Sequence, residues 1–244
     1  MLLSARRRMP AVKHLEHWSR RYRLLLVSAQ GKGTLVGRVY DVIDNATRQW
    51  LTKQPMFFVA TAPNDPDGHL NLSPKGAAGA FRVLGPTTVA YVDLIGSGVE
   101  TVAHLRENGR IVLMFCAFAG PPKIVRLHGQ GRVVRQDDPE FAALLPQFSL
   151  DDDARALARG IVVVETTRIS DSCGFVVPRM DLVAERDQLM GWGEQQHAKN
   201  GETWKERYVA ANNARSIDSL PGYDPTEGLV ESETRALSSS GRAL

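Results

Sequence analysis

A glycine-serine-glycine turn offers the clearest chemistry in this sequence. Gly96, Ser97 and Gly98 follow a β-branched and aromatic run and precede apolar residues at helical spacing, which predicts a strand, a turn and a helix. A helix that begins on such a turn presents unpaired backbone N–H groups, with the hydroxyls of Ser97 and Thr101 beside them. This arrangement suits a phosphate group. The alternative is a tight turn in which Ser97 is an ordinary N-cap.

Short strands surround this turn. Apolar and alternating runs predict about six strands with short connections, and the glycines within 123–134 indicate a bent or bulged strand. Helical spacing predicts helices at 39–53, 138–148, 181–198 and 202–213. Because few helices lie between the strands, the pattern favours a mainly β (α+β) fold, an antiparallel barrel with flanking helices, over a doubly wound sheet.

Length and composition limit the classes of protein. A chain of 244 residues can bury the core of one domain. Its two cysteines, Cys116 and Cys173, lie far apart in apolar runs, which makes a metal site or a disulfide framework improbable and favours a cytoplasmic location. Since no apolar run approaches the roughly 20 residues of a membrane span, no membrane association is expected.

Basic residues concentrate at the start of the chain. Residues 1–38 hold nine lysines and arginines against the single acid Glu16, so they carry +8; the whole chain carries +3, which leaves −5 on the remainder. The leader is a transit-like or nucleic-acid-binding arm, a mobile tail, or sequence upstream of a later start. We favour the last two and expect no nucleic-acid partner, because the body has no basic stripe. The predicted domains are a disordered leader (1–36), a folded domain (37–222) and a disordered tail (223–244).

The order of motifs resembles a known family. The matching segments are 55–62, 68–76, 81–84, 96–98, 104–109, 114–116, 120–122, 172–174 and 213–218. They are similar to the flavoproteins related to pyridoxamine 5′-phosphate oxidase, in particular to the actinobacterial-type oxidase branch. This resemblance implies an FMN-binding split barrel, a six-stranded antiparallel β-barrel that forms a homodimer and holds FMN in two clefts at the dimer interface.

The resemblance also implies a phosphate site at 96–101. In the oxidases a basic residue after the second strand and an Arg-Lys pair at the helix start bind the phosphate. Lys75 stands at the first of these positions, whereas Val99 and Glu100 replace the pair. Lys75, Lys123 or Arg126 must therefore supply the cation, unless the cofactor differs in detail. The full set of candidate cofactor-binding residues is Asn71, Ser73, Lys75, Asp93, Gly96, Ser97, Gly98, Thr101, Lys123 and Arg126.

The sequence contains no convincing catalytic triad or metal cluster. His104 is better explained as a helix-surface residue than as a base, and no residue is assigned as catalytic. The expected function is an FMN-dependent oxidoreductase acting on an unidentified small molecule, in which the flavin carries out the redox chemistry. Two alternatives remain: a reductase that uses a deazaflavin in the same cleft, and a flavin-binding or haem-type storage protein without turnover.

Overall fold

The computed structural model describes residues 37–223. The predicted leader and the predicted tail from residue 224 onward lie outside this range. The strands are β1 (Val39–Tyr40), β2 (Phe57–Thr61), β3 (Asn71–Lys75), β4 (Phe81–Val83), β5 (Thr88–Leu94), β6 (Arg110–Cys116), β7 (Ile124–Arg135) and β8 (Ala158–Ser172). The α-helices are α1 (Asn45–Thr52), α2 (Glu100–Asn108), α3 (Pro139–Leu144), α4 (Asp152–Ala156), α5 (Gln188–Asn200) and α6 (Trp204–Asn212).

All strand pairs in this range are antiparallel. The order across the sheet is β3-β2-β6-β7-β8-β5-β4, with β1 added beside β8. The sheet curls into a half-barrel with helices at its margins, which confirms the predicted antiparallel barrel class. The described part has eight strands rather than six.

The long strands β7 and β8 make the sheet curl. Their pairing shifts register at His128 and Gly129, where a side chain on Gly129 would lie 2.2 Å from the carbonyl oxygen of Glu165. This irregularity confirms the bulge that the glycines predicted, since bulges bend a strand and increase its local twist. The curl encloses one core cluster, in which Phe57 stacks on Phe115 with ring centroids 5.0 Å apart.

Two predicted helices have different bounds in the structure. The segment 39–53 splits into β1 and α1, because Asp44 caps α1 by accepting a hydrogen bond from the N–H of Thr47 at 2.7 Å. The predicted helix 181–198 begins only at Gln188, and irregular chain precedes it. The prediction for 202–213 agrees closely with α6.

Candidate functional site

The glycine-serine-glycine turn joins β5 to α2, and it is held from one side. The Arg159 guanidinium donates hydrogen bonds to the carbonyl oxygens of Gly96 and Gly98, at 3.0 and 2.7 Å. The side-chain amide of Asn213 donates to the carbonyl oxygens of Gly96 and Ser97, at 3.0 and 3.3 Å. All three carbonyl groups of the turn therefore face Arg159 and Asn213.

This arrangement determines where the N–H groups of the turn point. The peptide bonds are trans, so each N–H points opposite to the carbonyl of the same peptide unit. The N–H groups of Ser97, Gly98 and Val99 consequently face away from Arg159 and Asn213. Within residues 37–223, those of Ser97 and Gly98 donate to no other group. Successive N–H groups aimed in one direction form a concave anion site, which we call the amide nest.

The helix itself begins later than the sequence predicted. Its first residue is Glu100, and Val99 occupies the N-cap position without a side-chain cap hydrogen bond. The interpretation of Ser97 as an N-cap is therefore wrong; Ser97 lies exposed in the turn. The carboxylate Oε2 of Glu100 folds back and accepts a hydrogen bond from the N–H of Val99 at 3.1 Å.

A buried cluster of charges lies beside the turn. Asp93 is 2% exposed and contacts two cations, the Lys75 Nζ at 3.1 Å and the Arg159 Nε at 2.8 Å. Burial alone raises the pKa of Asp93, but the two cations outweigh it and hold that pKa at about 2. The Tyr223 hydroxyl lies 3.3 Å from the same carboxylate. Two cations against one carboxylate leave the cluster with one excess positive charge.

Arg159 and Asn213 are the residues that the sequence argument missed. Arg159 had a signal, since it is a lone charged residue at the start of the apolar run of β8. Asn213 follows α6, far along the chain from the turn that it contacts, and no local pattern indicates such a contact. Tyr223, the first residue of the predicted tail, is 5% exposed and packs with Val99 and Val102.

A chain of polar side chains runs inward from Ser73. The Ser73 hydroxyl donates to Asn71 Oδ1 at 2.8 Å, and Asn71 Nδ2 donates to the hydroxyls of Thr61 and Thr101, at 3.1 and 2.9 Å. The Thr61 hydroxyl lies 2.9 Å from Nδ1 of His104. His104 is fully buried, so its interpretation as a surface residue is wrong. Burial lowers the pKa of His104, which favours the neutral imidazole.

A cavity of about 760 Å³ brings most of these groups together. This volume falls within the range of roughly 300–1,000 Å³ that is usual for small-molecule and cofactor sites. Among the candidate residues, those that line it are Ser73, Lys75, Asp93, Gly96, Gly98 and Thr101. Asn71 lies one hydrogen bond behind this lining, and Ser97, which is exposed in the turn, is not part of it. The lining also includes residues of the irregular segment before α5 and of α5 itself, among them Met180, Leu182 and Leu189.

Lys123 and Arg126 lie elsewhere. Neither residue lines this cavity. The Lys123 Nζ sits 5.1 Å from the centre of the Trp50 ring, and the Arg126 guanidinium donates to the Ser172 hydroxyl at 3.1 Å. Within one chain, the structure therefore groups Lys75 with the turn and separates both other candidate cations from it.

The chain that forms this curled antiparallel sheet and glycine turn matches a known protein family. The family model described as pyridoxamine 5′-phosphate oxidase matches residues 43–173. The pyridoxamine 5′-phosphate oxidase family protein ustO of Aspergillus flavus is 36% identical over 195 residues, which cover 75% of this chain and 76% of that protein. The chain belongs to the pyridoxamine 5′-phosphate oxidase family.

Solved structures show weaker likenesses. A HupZ variant of Group A Streptococcus is 17% identical, with a TM-score of 0.41 over 53% of this chain and 98% of that one. The FAD binding protein from Mycobacterium smegmatis is 16% identical, with a TM-score of 0.37 over 54% of this chain and 96% of that one. In the part of the chain that the structure describes, no helix combines the length and apolar character needed to cross a membrane.

Proposed function

We propose that this protein is an FMN-dependent oxidoreductase that acts on a small molecule. The observation that carries the proposal is the cavity, whose lining includes residues of the amide nest and of the cluster with excess positive charge. Membership in the pyridoxamine 5′-phosphate oxidase family supports a flavin as the occupant. FMN would supply hydride and electron transfer, so the protein needs to provide binding, orientation and exclusion of water.

The proposed phosphate position is the nest. The N–H groups of Ser97 and Gly98 have no other acceptor among the described residues, and the Thr101 hydroxyl, which accepts from Asn71, retains its own proton to donate. Lys75 has three N–H donors, of which Asp93 engages one, so it can contact both the carboxylate and a phosphate oxygen. We assign Lys75 as the principal counter-ion and Ser73 as a polar contact for the ring system.

Proton transfer by His104 is not part of the proposal. Its imidazole is enclosed. The Thr61 hydroxyl and the Asn71 amide stand between it and Thr101, which lines the cavity. Among the described residues, no histidine or cysteine lines the cavity. The redox step is therefore assigned to the cofactor, and no residue is named as catalytic.

A homodimer and a cytoplasmic location complete the proposal. Strand β3 forms a sheet edge, and Leu70 and Leu72 are 81% and 67% exposed on or beside it. Contact with a second copy would cover this apolar surface. Both cysteines are free thiols, which agrees with a reducing compartment. Sedimentation should show a dimer that holds cofactor; a stable monomer that retains the cofactor would contradict this part.

The absorption spectrum of the purified protein tests the cofactor. We expect flavin bands, or their appearance after incubation with FMN, followed by bleaching with NADPH and recovery on adding an oxidised acceptor. If the protein stays colourless with FMN but takes up a deazaflavin, the deazaflavin replaces FMN in the proposal. If the protein binds a flavin whose spectrum is changed neither by a nicotinamide nucleotide nor by an acceptor, the result would instead indicate a storage protein.

A further inference from the structure

The carboxylate of Glu100 lies on the amide nest. Its Oε2 accepts the N–H of Val99 at 3.1 Å, and a side chain on Gly98 would come within 2.7 Å of the same oxygen. The carboxylate therefore covers the Gly98–Val99 peptide. Glu100 and Gly98 both line the cavity, so this internal anion lies on the side where a ligand would bind.

The orientation of the nest explains why a carboxylate is held there. Arg159 and Asn213 fix the carbonyl groups of the turn on the opposite side, which turns three consecutive N–H groups to the other side, where Glu100 accepts from that of Val99. One of the three is engaged by Glu100, while the N–H groups of Ser97 and Gly98 keep no partner in the described part. The nest thus already binds one anionic group, and its remaining donors suit another.

We propose that Glu100 is a specificity-determining residue, an internal carboxylate that must leave the nest when the ligand's phosphate binds. This inference rests on the proposed function and deepens it. Two anions cannot share these N–H groups without repulsion. Glu100 therefore weakens the binding of phosphate-bearing ligands relative to the same ligands without phosphate.

A purely structural role for Glu100 predicts a different result. An acidic residue in the first turn of a helix stabilises the helix through the dipole and need not affect ligand choice. Under that role, replacing Glu100 lowers stability and leaves the preference between ligands unchanged. Competition for the nest instead predicts that removing the charge raises phosphate affinity, whatever happens to stability.

Inorganic phosphate is the first probe, because it requires no flavin. Glu100→Gln should bind phosphate about tenfold more tightly than the parent in a thermal-shift titration, with each variant compared with its own phosphate-free midpoint. Glu185→Gln is the matched control, since Glu185 lines the same cavity and makes no hydrogen bond or ion pair within residues 37–223. Equal gains in both variants, or no gain in Glu100→Gln, would overturn the proposal.

FMN and riboflavin provide the second probe, since they differ only by the phosphate. The ratio of riboflavin to FMN dissociation constants should rise about tenfold in Glu100→Gln, with riboflavin affinity unchanged. Glu100→Asp keeps the charge at the helix start but shortens the side chain. Its ratio of riboflavin to FMN dissociation constants should therefore lie between those of the parent and Glu100→Gln. If neither flavin binds any variant, the flavin function fails, and the phosphate titration alone still decides the role of Glu100.

Discussion

Two pairs of basic residues in this domain have opposite surroundings. Lys75 and Arg159 contact the buried carboxylate of Asp93 and border a cavity. Lys123 and Arg126 instead contact an aromatic ring and a hydroxyl group, outside that cavity. The difference shows that a cation's role depends on its partner: a buried carboxylate positions the first pair, whereas the second has no charged hydrogen-bond partner among the described residues.

The largest expected effect is the loss of Arg159. Arg159→Met leaves Asp93 with one cation and the Gly98 carbonyl without its side-chain donor, and removing one partner of a buried pair typically costs about 3–5 kcal/mol. Urea unfolding at pH 7 measures this cost. Arg132→Met is the control, because it removes an exposed ion pair with Glu140 that should contribute less than about 1 kcal/mol. Equal losses in the two variants would show that the buried cluster stabilises no more than a surface pair.

Acid should weaken the fold through Asp93. Its pKa is about 2 in the folded protein against 3.8 ordinarily, so the folded state binds fewer protons than the unfolded state. The resulting stabilisation, about 2 kcal/mol, is complete above the ordinary pKa and is lost as the pH falls from about 4 toward 2. Urea unfolding across this range should show a steeper decline in the parent than in Asp93→Asn. Parallel curves would place the acid sensitivity elsewhere.

Only part of the contrast between the two pairs can be predicted from the sequence. The turn at 96–98 is recognisable because glycines lie between a strand pattern and a helix pattern, and the antiparallel class follows from short apolar runs with short connections. Lys75 could be chosen because it follows a strand near that turn. These features are local, so a single sequence carries them.

The remaining features depend on contacts between distant segments. Arg159 and Asn213 reach the turn from 61 and 116 or more positions along the chain, and no spacing rule connects them to it. His104 looked like a surface residue because one polar residue on a helix usually faces solvent. Its burial follows from a partner on β2, Thr61, which only the folded sheet brings near.

The third prediction concerns ligand binding by the first pair. Lys75→Met should weaken FMN binding at least about tenfold and flatten its dependence on salt, because the variant removes a charge that borders the proposed phosphate site. Riboflavin titration of the same variant provides the control, since its affinity should change little. If FMN affinity keeps its salt dependence in Lys75→Met, another cation holds the phosphate.

The smallest effect is expected at the second pair. Lys123→Met removes a cation–π contact with Trp50, which is worth about 0.5–1 kcal/mol at exposed sites. FMN affinity should change less than about threefold and should keep its salt dependence, because Lys123 does not line the cavity of its own chain. FMN titrations at low and high salt, run beside Lys75→Met, measure both quantities. A loss equal to that of Lys75→Met would mean that Lys123 reaches a phosphate by another route, and the proposed homodimer offers one, in which Lys123 serves the cavity of the second copy. Mixed dimers that combine one Lys123→Met chain with one Lys75→Met chain would then decide whether Lys75 and Lys123 of the same chain act on one cofactor or on two different ones.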